Sequence, residues 1–236
     1  MKLYLSIYCA VIAIVANCFS QSFINLNFES TVIVTNGAPQ FGVVASDAIP
    51  GWTAFLSGVP QTYIIYNQVP GSDAAVTLQR TNNNSSYPPI QGAYFVMLWG
   101  QYNPGNYPDY FTNTAAIGQT GQIPLSAQSL IFWGTIGGMQ ATFNGQPLNF
   151  LVTGSAANYT VYSADISAYA GETGQLLFTA TYYAPLVGGP AIIDNIQFST
   201  SPVPEPSTFA LGALGGLLLG FRCWHGQKES DVHPKA

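Results

Sequence analysis

An all-β sandwich is the fold this chain predicts, on three observations. Short runs rich in β-branched and aromatic residues recur through its middle. Dipeptides of Gly, Pro and Asn punctuate those runs. No long stretch of helical period occurs away from the two ends.

In order, the runs are Ser22 to Phe28, Thr31 to Thr35, Thr62 to Asn67, Ala75 to Arg80, Gly92 to Gly100, Gln128 to Thr135, Gln140 to Phe143, Leu148 to Thr153, Tyr159 to Asp165, Gly174 to Tyr183 and Ala191 to Ser199. Alternation with period two gives several of them one buried face: Tyr159 and Val161 flank Thr160, and Leu176, Phe178 and Ala180 alternate with Leu177 and Thr179. Asn36-Gly37, Pro50-Gly51, Pro70-Gly71, Asn144-Gly145 and Gly188-Gly189 supply turns, because Gly and Asn accept positive φ and Pro presets a negative one. Asn144-Gly145, set between Ala141-Thr142-Phe143 and Gln146-Pro147-Leu148, reads as a tight hairpin. Many short strands with one apolar face each pack as two sheets, and a jelly roll is the expected form.

The two ends differ from the middle. Met1-Lys2, the apolar run Leu3 to Val15 and the small-residue exit Ala16-Asn17-Cys18-Phe19-Ser20 make the three parts of a secretory signal peptide, with cleavage expected after Ser20. A lipidated Cys18 is the rival reading, and Asn17 before it is a poor match to that pattern. At the other end, Pro204 and Pro206 forbid a helix across their own positions, and Ser207 or Thr208 can cap one that follows. Phe209 to Phe221 carries no charge; at ~1.5 Å per residue it reaches about 20 Å, and counting Ser207 to Trp224 with Arg222 snorkelling brings it near a bilayer's thickness. Gly212, Gly216 and Gly220 share one face, as in close helix packing within membranes. The chain is therefore expected to divide into a signal peptide (1–20), an exported β-sandwich (21–201), a carboxyl-terminal segment with a transmembrane helix (202–224) and a cytoplasmic tail (225–236).

This carboxyl-terminal segment, from Pro202 to about Trp224, resembles the PEP-CTERM sorting signal of bacterial exported proteins. The residues that carry the resemblance are Val203, Pro204, Glu205, Pro206, Ser207 and Thr208, the apolar stretch after them, and Arg222. The family usually ends in a tight basic cluster, whereas Arg222 here is followed by a tail of mixed charge. The resemblance implies an exosortase, a membrane-embedded transpeptidase, as partner, and delivery to the cell surface or extracellular matrix.

Composition closes most chemistries for the exported part. All three cysteines (Cys9, Cys18, Cys223) and both histidines (His225, His233) lie outside residues 21–201, as do all the lysines. No Ser–His–Asp or Cys–His arrangement, His-ligated metal, Schiff base or disulfide framework can be built there. Charged residues are 6% of the chain, against about 25% in ordinary soluble proteins. Seven carboxylates face the single guanidinium of Arg80 within 21–201, so nucleic acid is excluded as a partner. What remains for catalysis is a carboxylate pair of the glycosidase kind, drawn from two glutamates and five aspartates.

Three stretches resemble galactose-binding-like, carbohydrate-binding jelly rolls: Asp165 to Phe178, the closing run Ile192 to Phe198, and Asn25-Leu26-Asn27-Phe28-Glu29 with Pro50-Gly51-Trp52. In such domains the first and last strands lie together, and an acidic residue from each joins backbone carbonyls around a structural Ca²⁺. Glu29 and Asp194 occupy the matching positions, and hard oxygen ligands are what calcium requires. The alternative is that Asp194 caps its strand and Glu29 is solvated. A second candidate is Trp99 with the loop after it, where Trp99, Tyr102, Asn103, Tyr107, Asp109 and Tyr110 crowd rings, amides and a carboxylate together, the side chains that stack on sugars and take their hydroxyls. The alternative there is a loop packing its own tyrosines. Trp52 and Trp133 are expected in the core.

The expectation is thus a non-enzymatic exported protein, structural or carbohydrate-contacting, in the envelope or exopolysaccharide matrix. Its alternatives are a matrix component with no ligand and a carboxylate-based polysaccharide-active enzyme.

Overall fold

The computed structural model describes residues 21–68, 73–80, 90–100, 113–136, 138–181 and 190–204. Residues 1–20, where a signal peptide is expected, the residues from Glu205 onward and the segment 101–112 lie outside them. Within the described residues the strands are, in chain order, β1 (Gly42–Val44), β2 (Thr53–Leu56), β3 (Val59–Pro60), β4 (Tyr63–Tyr66), β5 (Ala75–Arg80), β6 (Tyr94–Trp99), β7 (Ala115–Gln122), β8 (Ser129–Thr135), β9 (Met139–Phe143), β10 (Gln146–Pro147), β11 (Leu151–Ser155), β12 (Thr160–Asp165), β13 (Thr173–Ala180) and β14 (Ala191–Ser199). One helical turn, α1 (Ala45–Ala48), follows β1, and a 3-10 turn, Ser167–Tyr169, precedes β13.

Two sheets result. One has eight strands in the order β1-β4-β5-β6-β14-β8-β12-β11, the other six in the order β10-β9-β13-β7-β2-β3. Neighbours pair antiparallel except β4 with β5. This is the expected β-sandwich, compatible with a jelly roll. Between the sheets, Phe132 of β8 meets Phe178 of β13 edge-on at 5.7 Å and Phe150 at 5.0 Å. Trp52 lies in the core as expected, against Phe28 at 5.8 Å and Phe178 at 6.2 Å. The Asn144-Gly145 hairpin forms with positive φ at both residues (48° and 77°), the geometry that matches strand twist.

Three local expectations change. Ser22 to Phe28 and Thr31 to Thr35 are irregular, because Asn25 and Phe28 take positive φ (49° and 57°) and break the extended run. That segment is held instead by Trp52 Nε1 donating to the Asn25 carbonyl (3.1 Å) and Ile196 N donating to that of Leu26 (2.9 Å). The strand expected at Leu148 to Thr153 forms at Leu151–Ser155, since Leu148 N is drawn to the Ala141 carbonyl beside β9. And β7, with no run of β-branched residues, is a central strand between β2 and β13. Its small residues make room for neighbours: a Cβ on Gly121 would strike the Phe23 ring.

Both ends of the domain leave from one end of the sandwich. Gln122 N donates to the Gln21 carbonyl (2.9 Å), Gln128 N to that of Ser199 (2.8 Å), and Ser129 Oγ to that of Ser201 (2.7 Å).

Candidate functional site

Glu29 and Asp194, far apart in sequence, converge on the same few residues that lead into β6. Glu29 Oε1 accepts from Ala93 N (2.8 Å) and Tyr94 N (3.0 Å). Asp194 Oδ2 accepts from Gln91 N (3.0 Å), and its Oδ1 from Asn195 N (2.7 Å). Local structure sets this up. A bulge in β14 between Asp194 and Gln197, with Asn195 at φ 47°, interrupts the ladder and leaves backbone groups for side chains to satisfy. Gly92 lets the carboxylate lie flat on the backbone, since a Cβ there would collide with the Glu29 carboxyl.

Asp194 is fully buried. Burial pushes its carboxyl up to about 8, the charge of Glu29 pushes the same way, and the two N–H donors hold it back. Glu29 is therefore more than a solvated acid, and Asp194 more than a strand cap: the two clamp one segment. The donor set suits a hard cation in part. Two carboxylates meet there, and the side-chain oxygen of neighbouring Gln91 is buried with no hydrogen-bond partner. No cluster of three or more Asp, Glu, His or Cys occurs among the described residues, so an ion here would need amide and backbone oxygens to complete its shell.

The aromatic expectations divide differently. Trp99 is buried among Phe95, Met97 and Ile192, which removes its ring from solvent and from the stacking role expected of it. Tyr102, Asn103, Tyr107, Asp109 and Tyr110 lie outside the described residues. Trp133, expected in the core, is only half-buried. Its register with Val161 and Asp194 turns it to the outer face of the eight-stranded sheet, where it stacks on Tyr159 at 4.7 Å and 6°.

A concavity of about 300 Å³ opens on the outer face of the six-stranded sheet. Register builds it. Ala116 of β7 lies opposite Phe55 and Thr179, so a small-residue floor is walled by larger side chains, while Gly118, two residues on along the same face, lies opposite Thr53 and Leu177 beneath its neighbours. A Cβ on Gly118 would meet Leu177, Phe55 and Gln175 Nε2 within 3.0–3.4 Å, so ring, aliphatic group and amide converge over one glycine. Thr114 and Thr179 add hydroxyls, and none of the described lining residues is ionisable. Sequence reasoning missed this groove because pairing register makes it, and the Gly and Ala content of β7 was its one visible sign.

An all-β domain followed within three residues of its last strand by a proline-punctuated, apolar segment defines a class of exported protein handled by its carboxyl end. Residues 202–225 match the PEP-CTERM protein-sorting motif, which supports an exported protein sorted by exosortase and associated with the membrane. Pro202, Val203 and Pro204 are its described part, while Glu205, Pro206, Ser207, Thr208 and Arg222 lie outside the described residues. No helix among the described residues is long and apolar enough to cross a membrane. No curated protein matches the chain. Among solved structures, an alpha-L-rhamnosidase from Dictyoglumus thermophilum aligns at 10% identity and a TM-score of 0.23, over 63% of this chain and 24% of that one. The chain thus spans about a quarter of that enzyme's length, and a likeness so weak carries no functional argument.

Proposed function

We propose that this chain is an exported, surface-targeted, non-enzymatic protein whose sandwich contacts carbohydrate in the envelope or exopolysaccharide matrix. The observation that carries the reading is the groove over Ala116. A preformed concavity of about 300 Å³ with a ring wall (Phe55), an amide (Gln175) and two hydroxyls offers a sugar both stacking and hydrogen bonds. Its described lining holds no carboxylate to act as acid or base, and Glu29 and Asp194 lie elsewhere, on the segment leading into β6. Both points favour binding over hydrolysis. A calcium ion belongs to the same proposal in a structural role, held by Glu29 and Asp194.

The test is binding of the full chain, purified in detergent, to a polysaccharide panel, with reducing-sugar release measured in parallel. Binding that falls at least ten-fold in Phe55→Ala and Gln175→Ala supports the groove. Binding unchanged in both variants, or none to any polysaccharide, overturns it in favour of a ligand-free matrix component. Sugar release by the wild-type chain overturns the non-enzymatic reading.

A further inference from the structure

The four sheet edges are not treated alike. An open edge exposes unpaired N–H and C=O groups, and proteins blunt it with Pro, charge, shortness or cover. In the six-stranded sheet both edge strands, β3 and β10, are two residues long and contain a proline, Pro60 and Pro147. In the eight-stranded sheet the β1 edge is covered: Val44 N donates to the Val34 carbonyl (2.8 Å), and Gly42 N to that of Pro39 (2.8 Å).

Among the described residues the opposite edge, β11, has none of these protections. It is five residues long, Leu-Val-Thr-Gly-Ser, with no proline. No charged residue occurs anywhere from Phe143 to Ala164, so its partner strand β12 offers no guard up to that point either. Among the described residues β11 pairs with β12 alone. Leu151 and Val152 are 43% and 66% exposed, two adjacent large apolar side chains on an open edge. Its one irregularity, the bulge between Val152 and Gly154, is closed from within, where Thr153 Oγ1 and Ser163 Oγ share a hydrogen bond of 2.8 Å.

We infer that β11 is an assembly edge, to which the β11 of a second copy of this chain adds antiparallel, joining two eight-stranded sheets into one. A second copy is the occupant the strand itself favours. Antiparallel pairing of a strand with its own twin is isologous, so one surface supplies both halves of a closed dimer. An uncharged strand meets its twin without repulsion, and Leu151 and Val152 of each copy cover those of the other. The inference is independent of the carbohydrate reading, since β11 contributes nothing to the groove.

The test is disulfide trapping in the full chain with Cys9, Cys18 and Cys223 replaced by Ser. Single cysteines are placed at Leu151, Val152 and Thr153, with Val59→Cys, 60% exposed on another edge, as the control. The expected result is covalent dimer forming at least ten-fold faster at one or two adjacent β11 positions than at Val59. Val152→Lys, at an exposed site, is expected to keep the wild-type melting temperature and to lower the dimer fraction at least ten-fold in sedimentation. Equal trapping at β11 and Val59, or a dimer fraction unmoved by Val152→Lys, overturns the inference; both results would follow from association through the membrane segment alone.

Discussion

Raising the pH from about 5 to about 8 in the presence of a chelator is expected to destabilise the sandwich, and Asp194 sets the size of the effect. Its carboxyl is pushed up to about 8, by burial first and then by the charge of Glu29, against the N–H bonds from Asn195 and Gln91. An unfolded aspartate titrates near ~3.9. Between those two values the folded chain holds a proton that the unfolded chain has released. The folded state therefore binds more protons, and stability present below the unfolded value is lost as pH climbs through the folded one. At about 1.36 kcal/mol per pH unit, the loss across this window is roughly 4 kcal/mol. For a domain of this size that is about 8 to 16 °C in melting temperature. Asp165 acts in the other direction, its carboxyl lowered by the bond from Ser167 N, but its contribution is lost only on acidification below the usual carboxylate range, outside the window. Differential scanning calorimetry in pH steps, with chelator and with added Ca²⁺, reads the slope directly. A bound calcium ion favours the carboxylate and flattens it. Asp194→Asn removes the titrating group and flattens it in chelator as well. A wild-type melting temperature that stays level or rises across the window in chelator refutes the reasoning, as does an unchanged slope in Asp194→Asn.

Three substitutions probe the frame around the sites. Phe132→Ala empties the space between Phe150, Tyr162 and Phe178 and is expected to cost about 3–5 kcal/mol in denaturant melts. Gly134→Ala sets a methyl group on the Ile192 carbonyl at the β8–β14 junction, where the strands cannot part without breaking the eight-stranded sheet; a loss of about 3 kcal/mol or more, or insoluble protein, is expected. Gln119→Leu removes a buried amide that accepts from Ile24 N (2.6 Å) and donates to its carbonyl (3.0 Å). The expected cost is about 1–3 kcal/mol, with faster hydrogen exchange at the Ile24 amide as the local readout.

How much of this was legible depends on which physical rule fixed each element. β-Rich content between turn-formers gave β5 and β14 at their full bounds, because those strands bury apolar residues in short runs that the sequence displays. The Asn144-Gly145 turn was legible because its two positive φ values demand those residue types. Strand β7 was hidden: Ala115-Ala116-Ile117-Gly118-Gln119-Thr120-Gly121-Gln122 has weak strand propensity, and it holds its central place because larger neighbours fill the room its small residues leave. The Glu29–Asp194 convergence was reached through resemblance to a family at both ends of the domain. Its use as a clamp on Gln91, Ala93 and Tyr94 follows from a bulge that no sequence pattern marks. Trp133 was misplaced because an aromatic in a strand signals burial on average, while its register here turns it outward onto Tyr159.

The scarcity of charge acquires a structural meaning once the hydrogen bonds are traced. Irregular segments that another domain would pin with ion pairs are held here by amides and hydroxyls. Asn25 spans Pro50 and Ser30, Gln122 reaches Gly171, Thr31 reaches Phe28 and Ala48, and Asn144 receives Gln175 N. Neutral side chains of this kind hold their bonds across pH and salt, where exposed ion pairs would weaken by screening. A domain so constructed suits a compartment whose ions the cell does not control, in keeping with the export that the sorting motif supports. Against that background the pairing of buried Asp194 with half-buried Glu29 stands out. In a fold that otherwise avoids charge, placing Glu29 and Asp194 on one backbone segment costs stability unless a proton or a cation accompanies them. Which of the two it is decides whether this clamp senses acidity or calcium, and the slope of melting temperature with pH separates them.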